Sequence, residues 1–221
     1  MSGARGKVSR KITAGRSLSS RHWLERQHSD PFVVRARRQG LRARSAFKLM
    51  QIDDKHRLLK PGARVLDLGA APGSWSQVAA QRVGAAQGKG RVIAVDVLDM
   101  AAIPLVEFLR LDFLAPDAPE RIRSLLAGPA DVVFSDMAAN TTGHRKTDHL
   151  RIMALAEAAA DFAREVLTPG GAFLCKVLQG GTETALLAVL KRDFAMVRHI
   201  KPPASRAESA ELYLLAIGFR G

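Results

Sequence analysis

The sequence has a single cysteine and no long apolar run, and both features exclude classes of protein. Cys175 stands alone among 221 residues, so a disulfide framework within the chain is excluded and a reducing compartment, the cytoplasm, is expected. The longest apolar stretches have the length of a strand, which is too short to cross a bilayer. The six histidines are scattered and no Cys/His pairs have zinc-ligand spacing, so we expect neither a bound metal nor a membrane segment.

Acidic residues are scarce relative to basic ones. The chain has 34 Lys+Arg against 21 Asp+Glu, a formal net charge of +13. Such an excess favours a polyanionic partner, either nucleic acid or an anionic membrane surface. No acidic residue precedes Glu25, and residues 1–20 lack apolar periodicity, which predicts a disordered basic arm. A transit peptide is the alternative interpretation, and it would direct the protein to the mitochondrial matrix.

Residues 21–60 remain basic but acquire helical periodicity, which predicts a helical N-terminal extension packed on the domain that follows. We expect two short helices with charged outer faces. Between residues 35 and 48 the basic residues are not interspersed with any acid. A cluster so one-sided favours a phosphate-facing surface over a merely solvated helix, and RNA binding should then weaken steeply with salt. The predicted RNA contacts are Arg35, Arg37, Arg38, Arg42 and Arg44.

Residues 61–221 alternate strands with helices and form the predicted main domain. Strands are predicted at residues 65–68, 91–97, 106–111, 131–135, 172–178, 196–201 and 212–219, and helices at residues 74–82, 119–126, 150–167 and 182–192. A polar loop is predicted at residues 138–148. Gly170-Gly171 is expected to end the helix predicted at residues 150–167. The alternation predicts an α/β fold with a mostly parallel seven-stranded sheet and helices on both faces. The short link between the last two strands suggests an antiparallel edge hairpin.

The stretch from Arg64 to Gln77 joins a buried strand, a turn of small residues and a helix, as in the first half of a nucleotide-binding βαβ unit. Gly69 and Gly73 allow a ligand to approach bare backbone. Their spacing is neither the G-x-G-x-x-G of dinucleotide enzymes nor a P-loop, so a nicotinamide-dependent enzyme is disfavoured. Ser74 is expected to cap the helix, with Ser76 as a competitor for that role.

Aspartates recur at the predicted ends of successive strands, where ligands of open parallel sheets bind. Asp67, Asp96, Asp112 and Asp136 follow this rule. Asp96 is placed to accept hydrogen bonds from both hydroxyls of a ribose, and Asp112 from the amino group of an adenine. Neither position carries a basic residue for a 2′-phosphate, and acidic surroundings favour a positively charged ligand. S-adenosylmethionine, with its sulfonium and ammonium groups, therefore fits better than NAD.

The loop from Asp67 to Gln77 resembles the cofactor loop of the FtsJ/RrmJ-type RNA ribose 2′-O-methyltransferases. Further matching motifs follow in order along nearly the whole chain. They are Arg21-His-Trp-Leu-Glu-Arg, Arg42-Ala-Arg-Ser-Ala-Phe-Lys-Leu, Ser135-Asp-Met-Ala-Ala-Asn, Lys176-Val-Leu-Gln-Gly and Ser205-Arg-Ala-Glu-Ser-Ala-Glu-Leu-Tyr. The sequence departs from the family at Ser74, Ala139 and Leu178, which lie beside the key residues and do not replace them.

The resemblance implies a Rossmann-like class I methyltransferase fold with S-adenosylmethionine as cofactor. The cofactor contacts that we expect are Asp67, Gly69, Gly73, Trp75, Asp96, Asp112 and Asp136, although Trp75 could instead belong to the core. The family's catalytic tetrad falls on Lys48, Asp136, Lys176 and Glu211. Lys176 interrupts an apolar strand and is expected to face the ribose hydroxyl, oriented by Asp136. Two roles for it stay open: general base, or a charged group that orients the hydroxyl.

The resemblance also implies a substrate, a uridine in large-subunit ribosomal RNA, methylated in the assembled subunit by a monomeric enzyme. Two other functions remain as alternatives. One is a noncatalytic RNA-binding factor for ribosome assembly that kept the fold, which the intact tetrad disfavours. The other is a 2′-O-methyltransferase of tRNA or of the mRNA cap, and a cap enzyme is disfavoured because no aromatic pair is placed to stack a cap base.

Overall fold

The computed structural model describes residues 30–139, 142–180 and 184–221. The predicted basic arm and the first nine residues of the predicted extension lie outside these ranges. Among the described residues, none of the helices combines the length and apolarity needed to cross a membrane.

A seven-stranded sheet forms the centre of the described chain, in the order β3-β2-β1-β4-β5-β7-β6. The strands are β1 (Arg64–Leu68), β2 (Arg91–Asp96), β3 (Val106–Arg110), β4 (Ala130–Ser135), β5 (Leu167–Leu178), β6 (Phe194–Ile200) and β7 (Glu211–Phe219). The helices are α1 (Pro31–Arg38), α2 (Ala46–His56), α3 (Ser74–Arg82), α4 (Ala118–Leu126), α5 (Arg145–Val166) and α6 (Thr184–Asp193), with a 3₁₀ turn at Ala85–Gln87. Strands β1 to β5 pair in parallel, whereas β7 runs antiparallel to both β5 and β6. The predicted α/β class with an antiparallel edge is confirmed.

The two faces of the sheet bury two separate apolar cores, because side chains alternate along each strand. On β1, Leu66 and Leu68 pack into a cluster with residues of α4, α5 and α6. Val65, which precedes Leu66, points into a second cluster that contains residues of α2 and α3. Leu49 and Ile52 of α2 belong to this second cluster, so the N-terminal extension shares a core with the sheet.

The glycine pair at Gly170-Gly171 was predicted to end a helix, and that prediction is wrong. Helix α5 already ends at Val166, and the pair lies inside β5. Between Ala130 and Val132, β4 advances two residues while its partner β5 advances five, from Leu167 to Ala172. The surplus residues form a bulge, in which Gly170 has a φ of +85°. A glycine that permits a bulge and one that ends a helix look the same in a sequence.

Helix α5 also begins within the predicted polar loop, at Arg145. The first turn contains Asp148, whose backbone N–H donates to the carbonyl of His144. Most side chains described in this turn face solvent, so polarity alone does not separate it from a loop. Smaller differences of one or two residues affect the other described ends, as is usual for sequence-based boundaries, whereas the start predicted at residue 182 lies outside the described residues.

Candidate active site

A cavity of about 290 Å³ opens at the carboxyl ends of the parallel strands, where the chain order reverses between β1 and β4. Its lining comes from the turns that follow four strands and from one residue of α5. These residues are Gly69 and Ala71 after β1, Val95–Leu98 at the end of β2, Leu111–Phe113 after β3, Asp136–Ala138 after β4, and Leu155. Ligands of open α/β sheets bind at this edge and at this reversal of strand order.

The two carboxylates predicted to bind a nucleoside line the cavity and are held by backbone hydrogen bonds. Asp96 accepts from the backbone N–H of Ala71 and of Leu98, each at 2.8 Å. Asp112 accepts from the N–H of Leu114 at 3.0 Å. Carboxylate oxygens have lone pairs to spare after these bonds. Apolar side chains line the space between the carboxylates, so the residues present fit a flat purine and its ribose hydroxyls.

Gly69 and Gly73 have positive φ angles of +75° and +95°. A Cβ on Gly69 would lie 2.7 Å from the backbone of Met137, and one on Gly73 would lie 2.6 Å from the Cδ1 of Ile103. Both glycines therefore let neighbouring segments pack closely around the turn. Gly69 lines the cavity, whereas Gly73 lies at the start of α3 and is not part of the described lining.

Asp67 lies beneath the cavity and does not line it. Its side chain is fully buried, and its Oδ2 accepts a hydrogen bond from the Ser76 hydroxyl at 2.6 Å. Its Oδ1 has no partner among the described residues. The pKa of the Asp67 carboxyl is raised from 3.8 to about 7: burial raises it most, the Ser76 hydrogen bond opposes this, and the negative charges of Asp136 and Asp96 add to the increase.

The Asp67 carboxyl should therefore make the protein less stable as the pH rises. The folded state keeps this proton to about pH 7, whereas the unfolded chain releases it near pH 3.8. The stabilisation is complete below pH 3.8 and is lost as the pH rises through 7. The loss is on the order of 4 kcal/mol, because each pKa unit corresponds to about 1.4 kcal/mol.

Denaturant unfolding across this pH range gives the free energies of unfolding of the wild type and of Asp67→Asn. The difference between the two should change with pH by the amount of that loss. In the Ser76→Ala variant the decrease in the free energy of unfolding should occur at higher pH, because the hydrogen bond that lowers the pKa of the Asp67 carboxyl is gone. A difference between wild type and Asp67→Asn that does not vary with pH would show that the carboxyl titrates normally.

Neither serine caps α3, which corrects the prediction for Ser74 and Ser76. The cap position is Gly73, with no side-chain hydrogen bond. The Ser74 hydroxyl lies 2.6 Å from the hydroxyl of Ser45, just before α2, and the Ser76 hydroxyl donates to the carboxylate of Asp67. The helix start thus bonds to the N-terminal extension and to the end of β1.

Trp75 lies in the core, which is one of the two positions that the sequence left open for it. Its side chain is 2% exposed, and its Nε1 donates to the backbone carbonyl of Ser45 at 2.9 Å. Its ring centroid lies 5.5 Å from those of Phe134 and Tyr213. The side chain therefore packs between the sheet and α2, and it is not among the residues that line the cavity.

The four residues of the predicted tetrad meet beside the cavity, from four different elements. Lys176, on β5, donates to the backbone carbonyl of Asp136 at 2.6 Å, and its Nζ lies 3.3 Å from the Asp136 Oδ1. Lys48, on α2, forms an ion pair with Glu211 at the start of β7. Both lysine side chains are largely buried, at 10% and 12% exposure. Asp136 also lines the cavity, so it connects the cavity to the cluster.

Tyr213 joins the two halves of this cluster, and the sequence reasoning missed it. Its hydroxyl lies 3.0 Å from the Asp136 Oδ1 and 3.2 Å from the Glu211 Oε1, and can donate to either. The Lys48 Nζ donates to the same hydroxyl at 3.4 Å. On β7, Tyr213 lies two residues after Glu211, and in the sheet it pairs directly with Lys176. The spacing of two, which places both side chains on one face of a strand, was the available signal.

The charges of the cluster determine its protonation states. Burial alone would raise the pKa of Glu211, but the charge and hydrogen bond of Lys48, with the charge of Lys176, hold it below its ordinary value. Burial, together with the charges of Asp136 and Glu211, raises the pKa of Tyr213 well above normal. At neutral pH the carboxylate of Glu211 is thus ionised and the phenol of Tyr213 is a hydrogen-bond donor.

The five arginines predicted to contact RNA divide into two groups. Arg42 and Arg44 bond to the protein itself: Arg44 forms an ion pair with Asp30 at 2.8 Å and donates to the carbonyl of Ala204, and Arg42 donates to three backbone carbonyls. The other three are exposed on α1; they are Arg35, Arg37 and Arg38. Arg42 and Arg44 therefore already have hydrogen-bond acceptors within the protein, and the RNA contacts stay a prediction.

The chain resembles known proteins over most of its length. The family model described as FtsJ-like methyltransferase matches residues 41–219. A relative from Azorhizobium caulinodans, named ribosomal RNA large subunit methyltransferase E, is 63% identical over 97% of this chain and 90% of its own. A relative of the same name from Xanthobacter autotrophicus is 62% identical over 97% of this chain and 85% of its own.

A solved structure has the same fold. It is a Plasmodium falciparum protein described as a ribosomal RNA methyltransferase, with 29% identity, a TM-score of 0.72, and coverage of 81% of this chain and 99% of its own. Because the family model spans most of the chain and relatives over 60% identical cover nearly all of it, the chain belongs to the family of FtsJ-like methyltransferases.

Proposed function

We propose that this protein transfers a methyl group from S-adenosylmethionine to the ribose 2′-hydroxyl of a uridine in large-subunit ribosomal RNA. One observation carries the proposal: Asp136 lines the nucleoside-sized cavity and also holds Lys176 of the buried cluster. A cofactor bound in the cavity would thus lie next to the residues that handle the acceptor. The names of the 62–63% identical relatives support ribosomal RNA of the large subunit as the substrate.

The cavity would hold the adenosine part of the cofactor. Asp96 would accept from the ribose hydroxyls and Asp112 from the adenine amino group, and the apolar lining residues would cover the purine. Asp136, which also lines the cavity, would stabilise the positive charge of the methionine part. Bound there, S-adenosylmethionine supplies an electrophilic methyl group.

The side chains of the cluster would act on the acceptor hydroxyl. A ribose 2′-hydroxyl is a weak nucleophile at neutral pH, so the enzyme must hold it in line and manage its proton. Lys176 contacts this hydroxyl, and Asp136 fixes the ammonium through both its carboxylate and its backbone carbonyl. Lys48 and Glu211 neutralise each other, and both form hydrogen bonds with the Tyr213 hydroxyl that hold it in place.

The RNA would approach over α1 and α2. The exposed arginines of α1 supply phosphate contacts, and the chain's net charge of +13 favours association with a polyanion. We expect a monomer that acts on the large subunit in the cytoplasm.

A methyl-transfer assay with purified protein tests the proposal. Large subunits from a strain that lacks the corresponding gene are incubated with methyl-labelled S-adenosylmethionine, beside total tRNA as a comparison. Label should enter large-subunit RNA and not tRNA. A protein that binds the subunits but transfers no label would instead be the noncatalytic assembly factor, and label only in tRNA would overturn the proposed substrate.

Replacement of Tyr213 by phenylalanine should lower kcat about tenfold and change the affinity for S-adenosylhomocysteine little. The substitution keeps the ring that packs on Trp75 but removes the hydroxyl that joins Asp136 to Glu211. A lost buried hydrogen bond costs about 1–3 kcal/mol, so folding should survive. Single-turnover methyl transfer and calorimetric titration measure the two effects. A kcat equal to that of the wild type would show that this hydroxyl does not support the cluster.

A further inference from the structure

Arg42 connects two loops that border the cavity. Its Nη1 donates to the carbonyl of Pro72 at 2.9 Å and to that of Ala101 at 2.6 Å, and its Nη2 donates to the carbonyl of Ala102 at 2.6 Å. Pro72 belongs to the Gly69–Gly73 turn after β1, whereas Ala101 and Ala102 lie in the segment between β2 and β3. One guanidinium therefore bonds to both of these segments, which we call the cavity loops.

The backbone around Arg42 is itself bonded to the first turns of α3. The Arg42 N–H donates to the Oε1 of Gln77 at 3.2 Å, and the Nε2 of the same glutamine donates to the carbonyl of Gly40 at 2.9 Å. The Ser45 hydroxyl lies 2.6 Å from that of Ser74. The segment of residues 40–45 is thus held in register with the turn and with the helix that follows it.

These contacts leave Arg42 poorly suited to the phosphate contact that its place in a basic cluster predicts. A phosphate would have to replace bonds to three backbone carbonyls, which would then lose their charged donor. Arg38, in the same cluster, lies exposed on α1 and is free of that constraint.

We propose that Arg42 is a positioning residue for the cofactor: it holds the two cavity loops at the separation that the bound cofactor requires. This rests on the proposed function, in which the cavity binds S-adenosylmethionine. Loops fixed in the binding conformation before the ligand arrives do not have to be ordered upon binding, which increases affinity. The planar fork of arginine reaches carbonyls of both loops at once, a geometry that the single ammonium of lysine does not reproduce.

Binding of S-adenosylhomocysteine, measured by calorimetric titration, tests the proposal on three variants. Arg42→Met keeps the aliphatic stem but loses all three bonds, and its Kd should rise about tenfold, equivalent to roughly 1.4 kcal/mol. Arg42→Lys keeps the charge and should recover only part of the affinity. Arg198→Met, the matched control, removes the same charge from an exposed position on β6 and should keep the wild-type Kd.

Turnover and RNA binding separate positioning from a general loss of structure. In methyl transfer, Arg42→Met should raise the KM for S-adenosylmethionine while kcat and the salt dependence of RNA binding stay close to those of the wild type. Titrations are made well below the unfolding temperature of each ligand-free variant. If Arg42→Met does not fold, Arg42→Lys is used in its place for the same measurements.

Two results would overturn the inference, and they differ from a failure of the proposed function. If Arg42→Met and Arg42→Lys bind S-adenosylhomocysteine as tightly as the wild type does, the loops do not depend on Arg42. If Arg42→Met instead weakens RNA binding with a shallower salt dependence, Arg42 is a phosphate contact after all. A wild-type protein that does not bind S-adenosylhomocysteine contradicts the proposed function, and the inference falls with it.

Discussion

Replacement of Lys176 by methionine is expected to slow methyl transfer by about a thousandfold, within the range of roughly 10²–10⁴ that proton-transferring groups supply. The Lys176 side chain is 10% exposed, and its ammonium donates to Asp136 and is the group that we assign to the 2′-hydroxyl. Methionine fills the space of the stem without a donor or a charge. The affinity for S-adenosylhomocysteine should change little, because Lys176 does not line the cavity.

Single-turnover kinetics with saturating cofactor measure this effect directly. Lys191→Met, on the exposed surface of α6, is the matched control and should retain full activity. The Lys176→Arg variant separates the two roles left open for the lysine, because arginine donates hydrogen bonds but does not accept a proton near neutral pH. Activity in Lys176→Arg within tenfold of the wild type would assign an orienting role. More than a tenth of wild-type activity in Lys176→Met would contradict the assignment of Lys176 to the acceptor.

Replacement of Asp136 by asparagine should impair both binding and catalysis. Asp136 lines the cavity, lies 3.3 Å from the ammonium of Lys176 and accepts from the hydroxyl of Tyr213 at 3.0 Å. Asparagine keeps the size but removes the charge, and it leaves two buried lysines with the single carboxylate of Glu211. We expect kcat to fall about a hundredfold or more and the KM for S-adenosylmethionine to rise about tenfold, by the loss of charge-assisted bonds.

Asp112→Asn is the control for this variant. Asp112 lines the same cavity, but the contacts described for it are confined to the loop after β3. Its replacement should raise the KM for S-adenosylmethionine and leave kcat nearly unchanged. If Asp136→Asn had the same kinetic effect as Asp112→Asn, Asp136 would be a binding residue alone and the link between cavity and cluster would fail.

The position of the cavity could be predicted because it follows from the fold. Parallel strands end at the same edge of a sheet, so aspartates at the ends of successive strands must lie near one another. Asp96, Asp112 and Asp136 do so, and all three line the cavity. Lys176 was also visible, since an ammonium inside an apolar strand needs a partner, and it has one in Asp136.

The roles of the arginines could not be predicted in this way. A one-sided run of positive charge does not distinguish an arginine that faces solvent from one that donates to backbone carbonyls. The acceptors of Arg42 are carbonyls of a proline and two alanines, residues whose side chains offer no polar signal. Only the fold, which brings residues about 30 and 60 positions away into contact, reveals them.

The tetrad itself was available only through resemblance. Lys48 and Glu211 are 163 positions apart, and each alone is indistinguishable from a member of a surface ion pair. Their meeting depends on α2 sharing a core with the sheet and on the antiparallel return of β7 beside β5. Tyr213 escaped notice for the same reason, since its partners come from three other elements and from its own strand.

The central claim is that the cluster directs a methyl group to a ribose hydroxyl. Its most direct measurement uses large subunits from the deletion strain, the purified protein and S-adenosylmethionine with a deuterated methyl group, followed by nuclease digestion and mass spectrometry of the RNA. The label should appear on the ribose of one uridine, and it should be absent when Lys176→Met replaces the wild type. Label on a base, or equal labelling by the variant, would contradict the account.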